Sequence, residues 1–175
     1  MINMLEILQK RHSVRKYTGE PISDQSLMTI LQAGLLSPSS RAIRPWEFIV
    51  VREKDTLQKM ANCRVNSAKM LEHAEAAVVV IGHAASSDVW IEDCAVAMSN
   101  MHLMADSIGL GSCWIQGRLR ETPSGESTEQ YIRKLLHFPM DYQLEAILSL
   151  GMPECHADKT EIASLHTEKI HWESF

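Results

Sequence analysis

A chain of 175 residues, 45% of them hydrophobic, can bury a full core and lies in the single-domain range. Its formal net charge of −5, with both signs interspersed, argues against a nucleic-acid surface, because counterion release needs a broad basic face. Cys63, Cys94, Cys113 and Cys155 are widely spaced with no C-x-x-C, which suggests neither a zinc knuckle nor a redox dithiol and fits a reduced, cytoplasmic setting. There is no apolar leader, and the longest apolar run, "AAVVVIG", is too short to cross a bilayer, so neither a membrane nor a nucleic acid is expected as a partner.

In chain order, "INMLEILQKR" places Met4, Leu5, Ile7 and Leu8 on one helical face and predicts a first helix. "SDQSLMTILQAGLLSP" predicts a second, capped by Ser23 or Asp24 and stopped before Pro38. "SPSSRAIRP" reads as a loop by its Ser and Pro content, and the bulky, β-branched "WEFIVVR" as a strand. "EKDTLQKMANC" and "VNSAKMLEHA" predict short helices, and "AAVVVIGH" a strand buried on both faces. The longest element, "SSDVWIEDCAVAMSNMHLMADSIGLG", starts at a Ser/Asp cap and stops at Gly109 and Gly111. Val89, Ala95, Ala97, Met98, Met101 and Ala105 recur along it at helical spacings, which predicts a helix buried almost all round. "SCWIQG" predicts a short strand or extended turn, "STEQYIRKLLHF" a capped helix, and "YQLEAILSLGMP" a strand ended by Gly151 and Pro153. The polar tail "ECHADKTEIASLHTEKIHWESF" closes on Ile170, Trp172 and Phe175 in strand-like alternation, which asks for a partner such as a second copy of the chain. Helices and strands thus alternate through one domain without repeats or linkers.

Arg11, His12, Ser13, Arg15 and Lys16 crowd into "QKRHSVRKY". Guanidiniums at i and i+4 around a hydroxyl suit phosphate oxygens, although a solvated helix end looks the same. In an acidic protein such a cluster points to a small anion. "NSAK" brings the Asn66 amide and the Lys69 ammonium onto one helical face, either as a polar site or as a surface pair. "GLGSCWIQG" is a Gly-flanked extended segment that lets backbone N–H groups approach a flat ligand, or a tight helix-to-strand connection. No G-x-G-x-x-G, P-loop, G-x-S-x-G or H-E-x-x-H motif occurs. The eight histidines lack ligand spacing, so they read as surface or core residues and no metal is expected.

The order of "RHSVRKY", "SPSSRAIRPWEFIVV", "NSAKML" before "VVVIG", the long helix into "GLGSCWIQG", and the strand into "LGMP" resembles the nitroreductase family of flavoproteins. The resemblance spans nearly the whole chain. It implies an α+β fold, a mixed β-sheet flanked by helices, with residues 1–175 forming one FMN-binding domain. It also implies a homodimer with FMN at the subunit interface and a swapped tail, about 154–175, wrapping the partner.

Carried over by position, the resemblance gives Arg11, His12 and Ser13 to the phosphate and ribityl end of FMN and Arg15 to the pyrimidine edge of the ring. Pro38, Ser39 and Ser40 would reach the flavin from the other subunit. Asn66 and Lys69 would meet its polar edge. Trp114, Ile115, Gln116 and Gly117 would pass N5, with Gln116 where Glu is frequent, and Lys159 would complete the phosphate site. No side chain is then a nucleophile, because the flavin carries the chemistry; Arg15 and Lys69 would tune it by stabilising the negative charge that reduction leaves around N1 and O2.

The implied activity is an NAD(P)H-dependent FMN oxidoreductase with a ping-pong cycle, NADH or NADPH as co-substrate and a small nitroaromatic or quinone acceptor. Alternatives of the same fold are a flavin-consuming or flavin-binding protein and a non-catalytic dimer. Some positions depart from the family pattern. Ala42 replaces a frequent Asn, Arg44 replaces a frequent Gln, and Glu161 stands where a second phosphate-binding base can occur. "HAASSD" replaces a helical insertion that shapes the substrate pocket of longer relatives.

Overall fold

The computed structural model describes residues 3–66 and 68–175; Ile2 and Ser67, which the sequence pattern assigns to helices, lie outside the described residues. The chain forms α1 (Met4–Lys10), α2 (Asp24–Leu35), β1 (Trp46–Val51), α3 (Lys54–Met60), β2 (Ala76–His83), α4 (Trp90–Ser107), β3 (Gly111–Gln116), α5 (Thr128–Leu136) and β4 (Tyr142–Gly151).

The strands make one sheet in the order β1-β2-β4-β3, with every neighbouring pair antiparallel. An isolated parallel bridge between Ser13 and Ser112 lies outside these strands, so the α+β fold expected from the sequence is built here on an antiparallel sheet. Alternate residues of β2 serve different layers, as the period of a strand requires. Val78 and Val80 pack under α2 and α4 with Ile30, Cys94, Met98 and Met101. Ala77, Val79 and Ile81 face Leu57 of α3, Met70 and Leu71, and Ile132 of α5. Because helices cover both sides, β2 is a continuous apolar run, as its sequence predicts.

The segment after α1 crosses the ends of β3 and β4. It fits because a Cβ at Gly111 would come within 2.7 Å of Val14 Cγ1, and one at Gly151 within 2.5 Å of Tyr17 Cγ. Glycine at both positions therefore lets residues 13–17 lie flat on the sheet, with Val14 and Tyr17 buried beneath them.

Several expectations are corrected. The segment around "NSAKMLEHA" is a 3₁₀ helix over Lys69–His73, and Asn66 sits before it at φ +60°, a left-handed conformation that ends any right-handed helix. Asn66 and Lys69 thus share no helical face. Helix α4 starts at Trp90 behind Val89, without a side-chain cap on the helix itself; Ser87, two residues before Val89, accepts from Val89 N–H and donates to Asp93 Oδ2, both at 3.3 Å. It is buried on one broad face, whereas Glu92, Val96 and Ser99 are exposed. The C-terminal segment is not a strand: it makes one-turn 3₁₀ helices at Ile162–Ser164 and Thr167–Lys169, and residues 154–175 are exposed. Its backbone bonds are local there, as from Ser174 N–H to Trp172 O at 2.8 Å, since among the described residues no sheet edge pairs with it.

Candidate functional site

Helix α1 begins at Asn3, whose side chain accepts from Leu5 N–H at 3.0 Å, and ends at Arg11, whose own N–H donates to Ile7 O at 2.8 Å. The chain then becomes extended along β3, where Val14 N–H donates to Ser112 O at 2.9 Å. This turn from helix to strand brings the cations of "RHSVRK" onto one surface. His12 Nε2 accepts from Ala157 N–H at 3.2 Å, so its proton is on Nδ1, which donates to Lys10 O at 3.0 Å. The start of the tail is thereby held beside α1, where Thr160 N–H also donates to Gln9 O at 2.9 Å.

Arg11 Nη1 donates to Nε2 of His102 at 3.0 Å, and the Nδ1 of the same ring lies 2.5 Å from the Ser112 hydroxyl. Burial, then the nearby charges of Arg11 and His12, push the His102 pKa down to about 4, so the ring is neutral at physiological pH.

Three cavities follow the segment and share walls. The first, about 420 Å³, lies between Lys10, His12, Asp106, His156 and Lys159. The second, about 180 Å³, runs past His12, Ser13, Arg15 and Cys155. The third, about 210 Å³, is bounded by Arg15, Arg64, Asn66, Met70, Cys113 and Trp114. Burial pushes the Asp106 carboxyl up from its ordinary pKa against the pull of His12, Arg11, His156 and Lys10. A wider cavity of about 600 Å³ shares Arg64 with the third and adds Arg120 and Glu121.

On β3, Trp114 Nε1–H donates to Gln116 Oε1 at 2.9 Å, and Gln116 Nε2 donates to Glu145 O at 3.4 Å. The Ile115 side chain is in the core, so only its backbone is offered to a ligand. Gly117 N–H is already committed to Glu145 O at 3.2 Å.

The structure thus brings together His12, Ser13, Arg15, Asn66, Trp114 and Lys159 along one trough, with Arg11 turned to His102 behind it. Lys69 does not line it; its Nζ is turned to Glu72 at 2.9 Å and Asn62 at 3.4 Å. Pro38, Ser39 and Ser40 lie at the other end of α4, with Ser40 N–H donating to Asp93 Oδ1 at 2.8 Å. Asp93 and His102 are separated by roughly 13 Å along the helix axis at about 1.5 Å per residue.

The sequence model of the nitroreductase family matches residues 8–70 and 62–152. The chain belongs to the nitroreductase family. An FMN-dependent nitroreductase from Clostridium difficile R20291 is 38% identical, with a TM-score of 0.95 covering 98% of this chain and 99% of that one. A protein of Archaeoglobus fulgidus provisionally named NADH dehydrogenase/NAD(P)H nitroreductase is 33% identical over the full length of both chains. The NADPH-flavin oxidoreductase of Vibrio harveyi is 29% identical, over 88% of this chain and 67% of its own length.

The nitroreductase motifs did not mark His102, Ser112, Arg64, Cys113 or Asp106. For His102 a signal was present: it is a polar residue on the α4 face that carries Met98, Met101 and Ala105. Ser112 and Cys113 fall within "GLGSCWIQG", which flags the segment and not these side chains, whereas Arg64 and Asp106 carry no sequence signal because only the packing of distant segments brings them to the trough.

Proposed function

We propose that this nitroreductase-family chain is an FMN-dependent NAD(P)H oxidoreductase, acting as a homodimer on small electron-poor acceptors of nitroaromatic or quinone type by a ping-pong cycle. The observation that carries this reading is the continuity of the three cavities, joined through His12 and then through Arg15. Such a trough has the shape of an elongated cofactor with an anionic tail and a flat ring.

The donor set fits FMN at both ends. At the tail end, Lys159 and His12 line the first cavity and Arg11 stands behind it; Lys159 and Arg11 supply the cations suited to phosphate. At the ring end, Arg15, Arg64 and the Asn66 amide surround the third cavity, with Trp114 on its strand side. When bound, FMN supplies the hydride chemistry between reduced nicotinamide and acceptor. The chain binds and orients it, and the guanidinium of Arg15 favours the negative charge of the reduced ring. Lys69 joins that edge by exchanging its exposed Glu72 partner. Glu161, 3.7 Å from Lys159, draws on that cation, which leaves more of the phosphate binding to Arg11.

Homodimer formation is supported by apolar side chains that a single chain leaves in solvent, among them Leu8, Leu35, Leu36, Ile170, Trp172 and Phe175. A second copy also brings Pro38–Ser40 to a trough they do not reach within one chain. The names of the Clostridium and Vibrio relatives support FMN and a reduced nicotinamide as the reactants.

The purified protein is expected to be yellow, to bleach under anaerobic NADH or NADPH, and to recolour when a quinone or nitroaromatic is added. Colourless protein that takes up no FMN defeats the reading. Bleaching followed by permanent loss of the flavin spectrum in air selects a flavin-consuming enzyme instead.

A further inference from the structure

His102 is 8% exposed on α4, and Ser112 is 2% exposed at the start of β3. A guanidinium has five N–H donors and no acceptor, so the 3.0 Å contact from Arg11 Nη1 requires an unprotonated Nε2 on His102. The ring proton is therefore on Nδ1, donating to the Ser112 hydroxyl at 2.5 Å. Ser112 is in turn tied to the same N-terminal segment through Val14 N–H. One imidazole thus joins three pieces of the fold at the point where α1 ends.

We propose that His102 is a positioning residue for the phosphate end of the cofactor: its neutral ring clamps Arg11 against α4 and β3, so that the guanidinium is aimed before the anion arrives. The inference rests on the FMN reading above. Arg11 has a long side chain, and fixing it in advance removes an ordering cost that binding would otherwise meet. The clamp uses one of its five donors and leaves the rest for oxygens. Burial and then the charges of Arg11 and His12 on the N-terminal segment oppose protonation of the ring, and they outweigh Asp106, which lies one turn further along α4 and has the opposite sign. A protonated ring would present a donor to a donor and release Arg11.

The test is an FMN titration of flavin-stripped protein, followed by flavin fluorescence, on wild type, His102→Leu, Arg11→Ala, their double variant and His102→Gln. His102→Leu is expected to weaken FMN at least about tenfold, the equivalent of about 1.4 kcal/mol. The double variant is expected to be no weaker than Arg11→Ala alone, since His102 acts through Arg11. His102→Gln, whose amide oxygen accepts from Arg11 while its NH₂ donates to Ser112, is expected to recover most of the affinity. Long-range ¹H–¹⁵N NMR of the flavin-stripped protein is expected to show a neutral ring protonated on Nδ1, a readout that needs no FMN.

Wild-type affinity in folded His102→Leu, additive losses in the double variant, or an Nε2–H tautomer overturns the inference. If His102→Leu fails to fold, the NMR tautomer and the affinity of His102→Gln decide: Gln as weak as Arg11→Ala overturns it. Wild type that binds no FMN defeats the cofactor reading itself, and is thereby distinguished from failure of the clamp alone.

Discussion

Gln116 Nε2 donates toward Glu145 Oε1 at 3.5 Å, across the register shift that leaves Glu145 unpaired between Leu144 and Ala146. The other carboxyl oxygen, Oε2, is buried with no hydrogen-bond partner. Burial pushes the Glu145 pKa up, opposed by the Gln116 hydrogen bond and Arg118 and reinforced by Glu92. A carboxyl with a raised folded-state pKa stabilises the fold at low pH and loses that contribution as pH rises through the folded value. Glu145→Gln keeps the shape and cannot ionise. It is expected to match wild type near pH 4.5 and to exceed it at pH 8 by about 1–3 kcal/mol, the cost of an unsatisfied buried charge. Thermal melts at the two pH values check this; a loss at pH 8 contradicts it.

His102 has the opposite sign. Its folded pKa is about 4 against an ordinary 6.5, so between those values the unfolded chain binds more protons than the folded one. Stability therefore rises with pH across that window and is lost as pH falls through it, at most about 1.4 kcal/mol per pH unit for one proton. Urea denaturation of His102→Gln at pH 5 and pH 7 is expected to show a smaller difference than wild type. Equal differences would mean that the ring does not carry this acid sensitivity.

The elements were legible where a periodic pattern governs them. β2 reads as doubly buried because its run of Ala and Val has no polar break, and α2 reads from its Ser23 cap, which accepts from Ser26 N–H at 3.0 Å. Asn66 was misplaced onto a helix because nothing in "NSAK" reveals a left-handed backbone. The alternation of the tail reads as a strand, but the partner it asks for is a second copy, and within one chain the described residues form one-turn 3₁₀ helices instead. At the site, the cations of "RHSVRK" announced an anion through local density of charge. The Arg11–His102–Ser112 connection was hidden because it joins residues that only the packing of α4 against β3 brings together.

The Ala42 backbone is left-handed at φ +55°, between Arg41 at +53° and Arg44 at +52°. An L-residue with a Cβ loses about 1–2 kcal/mol in that region, while Gly is free of the penalty and Asn tolerates it. Ala42→Gly is expected to stabilise the protein by about 1 kcal/mol, a rise of about 2–4 °C in Tm for a chain of this size. Calorimetry checks it, and a lower Tm would show that Ala42 Cβ makes a contact worth more than the strain.

Arg15 borders the ring end of the trough and Arg11 stands behind its phosphate end, so their removal should have separable effects. Arg11→Ala is expected to weaken FMN binding by about 1.5–3 kcal/mol, the range for a charge-assisted hydrogen bond. Arg15→Ala is expected to lower the reduction potential of bound flavin with a smaller loss of affinity, because its cation favours the reduced, negatively charged ring. Flavin titration and potentiometry of the two variants test the division. Similar effects of both on affinity, with no shift in potential, would refute it.

The tail carries its apolar side chains largely in solvent: Ile170 is 59% exposed, Trp172 83% and Phe175 105%. Burying Ile170 and Phe175 against a second copy contributes about 1.5–3 kcal/mol each, ample reason for the segment to wrap a partner. The core lies between Val14 and Leu150, so truncation after Glu154 is expected to leave a folded body. That body is expected to run as one chain rather than two in light-scattering chromatography. It is also expected to bind FMN more weakly, because Lys159 and the Ala157 N–H that fixes His12 go with the tail. Trp172→Glu in the full-length chain separates the two effects: it should weaken the dimer while leaving Lys159 in place. A truncated body that stays dimeric would move the interface to α1 and α2 alone.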